Sequence, residues 1–222
     1  MEKQRDLKAV LFDFDGTLVH LPTNYPRMRD RLKKAFAQFN IHSDFHPLME
    51  SIELTLCELG EKAPPEVGRQ IKEKAFAIIE EEELDAVENA QMADGAREVL
   101  LSLQNRCMAI AIVSRNGRNC IEKCFSKFNL PQSDLIVARE DVNKLKPHPE
   151  HFGVALERLG LEPAQVIIIG DSYHDTDGGK ELGIETILVI PENIEPKDVT
   201  RGAYKISSLS EKGSILDLAI SR

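Results

Sequence analysis

Five short runs of almost uninterrupted apolar residues constrain this chain more than anything else in it: "VLFDF" at 10–14, "MAIAIVS" at 108–114, "DLIVA" at 134–138, "VIIIGD" at 166–171 and "ETILVI" at 185–190. Strands that are apolar throughout need cover on both faces, and helical patterns separate these runs. The expected core is therefore α/β, a doubly wound, Rossmann-like parallel sheet. In such sheets ligands gather beyond the carboxyl ends of the strands. Polar residues stand at those ends: Asp13 and Asp15 close the first run, Ser114 the second, and Gly170 with Asp171 the fourth.

The spacing between the first two runs is anomalous. A strand–helix–strand crossover takes about 30 residues, whereas from Asp13 to Ser114 the chain runs about three times as far. The surplus reads as an inserted α-helical cap domain over 19–91, with the core formed by 1–18 and 92–222. Its hinges are expected at "VHLPT" and "NAQMADG", where the periodicity breaks. Within the insertion Met28, Leu32, Ala35, Phe36 and Phe39 recur at helical spacing, as do Val67, Ile71, Ala75, Ile78 and Ile79. "HPLMESIELTLCELG" carries a helical pattern between them. The tract "EEEE" at 80–83 reads as the solvated face of a long helix. Arg27, Arg29, Arg31, Lys33 and Lys34 read as another solvated face, or as a reach toward a second anionic group.

A net charge of −9 argues against a nucleic-acid-binding surface. No apolar stretch approaches the roughly 20 residues that span a bilayer, and the amino terminus does not resemble a secretory signal. The expectation is a cytoplasmic protein, monomer or homodimer, whose partner is a small soluble ligand. Cys57, Cys107, Cys120 and Cys124 form no CxxC pair, and Cys120 with Cys124 read as packing residues on one helix face.

Two carboxylates two positions apart on a strand would share a face, and burying either alone costs several kcal/mol at order of magnitude. Asp13, Asp15 and Asp171 brought to one sheet edge call for a cation. Mg²⁺ favours octahedral oxygen ligation with few carboxylates and a substrate phosphate oxygen. Histidines 148, 151 and 174 complete no zinc set with cysteine.

The motifs themselves resemble those of the haloacid dehalogenase superfamily. "DFDGTL" is similar to the first motif, "IVS" with Ser114 to the second, "KPHP" with Lys146 to the third, and "GDSYHD" with Asp171 and Asp175 to the fourth. The insertion between motifs one and two is similar to the helical cap of the phosphoglycolate phosphatase and phosphoglucomutase branch. The dehalogenases themselves generally lack the second aspartate, so Asp15 points to a phosphatase.

The resemblance implies Asp13 as nucleophile, Asp15 as acid and base, and Ser114 and Lys146 as donors to the phosphoryl group. It implies Mg²⁺ held by the carboxylates of Asp13 and Asp171 and the backbone carbonyl of Asp15, with Asp175 ordering the metal's waters or holding Lys146. Lys144 competes with Lys146 until the family pattern selects the latter. Gly16 and Thr17 are expected to bring backbone N–H groups to the phosphate or to serve the turn, with Thr17 capping it. Arg115 stands where asparagine commonly follows the motif-two serine; it joins the phosphate-binding candidates, and Asn116 is set aside. The expected function is a Mg²⁺-dependent phosphatase acting on a small phosphorylated metabolite, phosphoglycolate-like or a sugar phosphate. A phosphoglucomutase-type transferase and a non-catalytic regulatory protein on the same fold are the alternatives.

Overall fold

A computed structural model describes residues 6–60, 64–191 and 204–211. The chain divides into two compact units, one built from 1–21 with 90–222 and the other from 22–89.

The first unit is a six-stranded, all-parallel sheet. Its strands are β1 (Ala9–Phe12), β4 (Ala109–Val113), β5 (Leu135–Val137), β6 (Val166–Gly170), β7 (Glu185–Val189) and β8 (Tyr204–Ile206), in the spatial order β5-β4-β1-β6-β7-β8. Every residue of β1 and β6 is buried, as near-continuous apolar strands require. The chain winds outward from β1 through β4 to β5, then crosses back to β6 and winds the other way. The order reverses between β1 and β6, the position at which doubly wound sheets open a ligand crevice. Helices α4 (Ala96–Asn105), α5 (Arg118–Lys127), α6 (Glu150–Leu159) and α7 (Tyr173–Leu182) connect the strands.

Two strand details differ from the sequence reading. β1 stops at Phe12, so Asp13 and Asp15 lie in the turn beyond the strand and the shared-face argument does not hold for them. Asp13 N–H still donates to Ile169 O at 2.8 Å, prolonging the ladder by one bond. Phe14, buried and stacked on Phe125 at 6.3 Å between ring centroids, then anchors the turn in the core. A second sheet was not anticipated: β2 (Val19–His20) pairs antiparallel with β3 (Gln91–Met92), where the chain leaves the first unit and returns to it.

The second unit comprises α1 (Tyr25–Ala37), α2 (Leu48–Gly60) and α3 (Pro65–Val87). Asn24 caps α1 by accepting from Arg27 N–H at 3.0 Å, satisfying a donor that the helix start leaves open. Met28, Leu32 and Phe36 of α1 and Ile71, Ala75, Ile78 and Ile79 of α3 are buried. Phe45 packs edge-on against Phe36 at 5.2 Å.

The glutamate tract is not a solvated face. Glu82 is 1% exposed and Glu83 4%. Arg27 Nε and Arg31 Nη1 each donate to Glu82 Oε1 at 2.8 Å, and Arg27 also pairs with Asp85 and Arg31 with Glu81. Buried carboxylates need such partners. Arg27 and Arg31 therefore spend their charge inside the helical unit.

Candidate active site

Three strand ends and one loop build the site. The first is the turn after β1. The N–H groups of Thr17, Leu18 and Val19 donate to Phe14 O at 3.3, 2.9 and 3.1 Å, and Gly16 N–H to Val19 O at 2.7 Å. Gly16 has φ of +93°, and a Cβ there would lie 2.0 Å from Asp171 Oδ2. A glycine is thus required twice, by backbone conformation and by close approach of the motif-four carboxylate. Asp15 Oδ1 accepts from Leu21 N–H at 2.9 Å, which fixes its orientation.

Thr17 departs from the expectation. Its hydroxyl is buried and has no hydrogen-bond partner among the described residues. Backbone groups alone close the turn, leaving the hydroxyl no donor to cap. A buried hydroxyl without a partner is costly.

Asp13, Asp171 and Asp175 each offer a carboxylate oxygen, all within 4.8 Å of one another. Lys146 Nζ lies between two of them, 2.5 Å from Asp13 Oδ1 and 2.7 Å from Asp175 Oδ1, with all three side chains buried. The other oxygen of Asp175 accepts from the backbone N–H and hydroxyl of Ser172, at 3.3 and 3.2 Å. Gly170 makes room for it, since a Cβ there would sit 2.2 Å from Asp175 Oδ2. Lys144 is exposed.

The electrostatics show what the cluster lacks. Desolvation pushes the Asp13 carboxyl up to about 7, against the pull of Lys146 and with added repulsion from Asp175 and Asp171. Desolvation first, then repulsion from Asp175 and Asp15, raise Asp171 to about 6 against the pull of Lys146. Burial alone would lower Lys146, but Asp13 and Asp175 outweigh it and hold the ammonium above its ordinary value.

Three carboxylates facing one ammonium leave an excess of two negative charges. A divalent cation matches that excess, and an all-oxygen donor set suits a hard ion such as Mg²⁺. The residues present fit the ion. Asp15 enters no such group with its side chain, consistent with a contribution through its backbone carbonyl alone.

Ser114 follows β4 and is buried. Its N–H donates to Val137 O at 3.0 Å and its Oγ to Asn116 Oδ1 at 2.9 Å, while Asn116 N–H donates back to Oγ at 3.2 Å. Asn116 thus touches Ser114 despite the intervening Arg115. The only sequence signal for it was the family asparagine displaced by one position. Arg115 Nη1 lies 2.5 Å from His174 Nε2, joining the loop after β4 to the start of α7. A guanidinium offers no acceptor, so this imidazole nitrogen supplies the lone pair.

The histidines do not converge. His148 Nδ1 accepts from Glu150 N–H at 3.1 Å, and His151 Nδ1 accepts from Lys146 N–H at 3.1 Å, with Nε2 3.3 Å from Val137 O. Among the described residues there is no disulfide, and Cys120 and Cys124 are buried on α5.

Comparison with known proteins bears on this arrangement. Residues 10–189 match the family model of haloacid dehalogenase-like hydrolases. The pyrophosphatase PpaX of Halalkalibacterium halodurans is 28% identical over 185 residues, covering 83% of this chain and 84% of the relative. The N-acetylmuramic acid 6-phosphate phosphatase of Pseudomonas aeruginosa is 24% identical, covering 88% of this chain and 87% of the relative. In fold the chain is similar to CbbY from Rhodobacter sphaeroides, whose crystal structure was determined in complex with phosphate. The TM-score is 0.66 at 18% identity, covering 93% of this chain and 96% of the other.

Proposed function

The chain belongs to the haloacid dehalogenase-like hydrolase family, and on that premise we propose that it is a Mg²⁺-dependent phosphatase that cleaves a small phosphorylated metabolite through an aspartyl phosphate on Asp13. The observation that carries the reading is the buried chain of Asp13, Lys146 and Asp175 with Asp171 beside it, at the point where the sheet order reverses. The names of the two relatives, a pyrophosphatase and a sugar-phosphate phosphatase, support a small phosphorylated substrate. Within that class, phosphoglycolate-like compounds and sugar phosphates are proposed.

Phosphate-monoester hydrolysis is among the slowest uncatalysed reactions, and a carboxylate nucleophile divides it into two easier steps. In the first, an Asp13 oxygen bonds to phosphorus, the ester bond breaks, and the leaving oxygen takes the proton of Asp15. In the second, Asp15 as a carboxylate takes a proton from water, whose oxygen bonds to the same phosphorus. Inorganic phosphate departs and the Asp13 carboxylate is restored. The hydrogen bond from Leu21 N–H holds Asp15 for both proton transfers.

Lys146 and the Ser114 hydroxyl, which turns its proton from Asn116 Oδ1 to the substrate, stabilise charge on the phosphoryl oxygens. Asp13, Asp171 and the Asp15 carbonyl would hold Mg²⁺, which when bound supplies the positive charge that offsets the carboxylates and polarises the phosphoryl group. Asp175, buried and engaged by Ser172, holds Lys146.

The test is phosphate release from a panel of phosphomonoesters, with hexose phosphates included, in Mg²⁺ and in EDTA. Mg²⁺-stimulated release of free phosphate that D13N abolishes is expected. No stimulated release from any compound, or a D13N variant matching wild type, would overturn the proposal, and conversion of a hexose phosphate to its isomer without free phosphate would reassign it to phosphoryl transfer.

A further inference from the structure

Arg139 belongs to none of the four motifs, yet it is among the largest side chains that the fold buries fully, with 1% exposed. A guanidinium placed there needs a reason, because desolvating it costs several kcal/mol at order of magnitude. It opens a short 3₁₀ turn, Arg139–Asp141, directly after β5. Its backbone N–H donates to Asn116 O at 3.1 Å and its Nη1 to Arg115 O at 3.0 Å. One residue therefore holds two successive carbonyls of the loop that follows β4.

In a planar trans peptide the N–H points opposite to the carbonyl. With the carbonyls of Arg115 and Asn116 drawn back to Arg139, the N–H groups of Asn116 and Gly117 face the other way. The first of them reaches Ser114 Oγ at 3.2 Å. Ser114 N–H is itself tied to Val137 O at the end of β5. The loop is pinned from the β5 side at three consecutive residues, and the Asn116 N–H is thereby held on the Ser114 hydroxyl oxygen.

We propose that Arg139 is a positioning residue for anion binding, fixing the Ser114–Gly117 loop so that the Ser114 hydroxyl is held at the phosphoryl position before substrate arrives. The inference rests on the reading of Ser114 as a phosphoryl ligand. Arg139 itself acts through the Arg115 carbonyl. Donors held in place in this way stabilise developing charge without reorganising.

The experiment compares wild type, R139M and R139K in Mg²⁺, well below each variant's Tm, using p-nitrophenyl phosphate as substrate and inorganic phosphate as competitive inhibitor. Lysine keeps the charge but falls about one bond length short of the Arg115 carbonyl. R139M is expected to raise the phosphate Ki and lower kcat/KM at least tenfold, and R139K about threefold. The Mg²⁺ concentration for half-activation stays within twofold, because the proposed metal ligands sit in the turns that follow β1 and β6. If R139M does not fold, R139K decides by the same readouts. Wild-type phosphate Ki in the folded variants, or parallel loss of phosphate and Mg²⁺ affinity, would overturn the inference. A wild-type protein that neither hydrolyses the ester nor binds phosphate would instead sink the phosphatase reading, and the inference with it.

Discussion

Gly16 shows how tightly single residues are specified where motif one meets motif four. Its φ of +93° and the Asp171 oxygen 2.0 Å from a Cβ position exclude any side chain. Gly16→Ala is expected to lower kcat/KM at least 100-fold and to cost about 1–3 kcal/mol of stability, which steady-state kinetics and denaturant unfolding would measure. Wild-type kinetics in that variant would mean the turn yields more easily than its geometry implies. Asp13 carries a second prediction. D13N removes one of three crowded carboxylates while its amide oxygen can still accept from Lys146, so the EDTA-treated variant should melt at or above the wild-type Tm; a clear drop would contradict the crowding argument. At this scale the sequence was informative for charged motif residues, because chemistry demands their type. It left Asn116 set aside and was silent on Arg139, whose roles depend on which carbonyl or hydroxyl lies opposite them. Thr17 serves the turn through its N–H, while its hydroxyl caps nothing among the described residues.

Elements meet through buried polar contacts that periodicity cannot announce. In the helical unit, α1 and α3 share the Glu82 clamp, and replacing both Arg27 and Arg31 by methionine strands a buried carboxylate. The double variant is expected to lose about 5 °C or more in Tm, most of it restored by adding E82L; a double variant as stable as wild type would deny the clamp any role. The apolar stripes of these helices were legible from spacing. The burial of Glu82 was not, because two glutamates facing inward look the same in sequence as two facing water.

In the core, His151 at the start of α6 links Lys146 N–H to β5, and desolvation, then Lys146, depress its pKa to about 3. Unfolded histidine titrates near 6.5, so between these values only the unfolded chain binds the proton. The His151 contribution is therefore complete above pH 6.5 and fades as pH falls, by about 1.4 kcal/mol per unit below about pH 6. Between pH 7 and pH 5.5 the raised Asp13 and Asp171 carboxyls act in the opposite sense in both proteins, so urea unfolding should show wild type faring worse on acidification than H151Q, which can keep both bonds; equal pH slopes in both proteins would contradict the assignment.

For the whole molecule, sheet order converts separate motifs into one site. β1 lies between β4 and β6, so Asp13 at its end faces the Ser114 loop on one side and Asp171 on the other. Five apolar runs made the parallel core legible, and the surplus length before the second run made the inserted helices legible. β8 and the β2–β3 pair were not foreseen, since "YKI", "VH" and "QM" hold no uninterrupted apolar run such as "LIV" gives β5. The central claim is that Asp13 becomes covalently phosphorylated during turnover. Acid-quenched protein, sampled during hydrolysis in Mg²⁺ and digested for mass spectrometry, tests it directly. The account predicts a phosphoryl group on the peptide containing Asp13, absent in D13N and in EDTA; steady phosphate release with no adduct there, or with the adduct on Ser114, would contradict it.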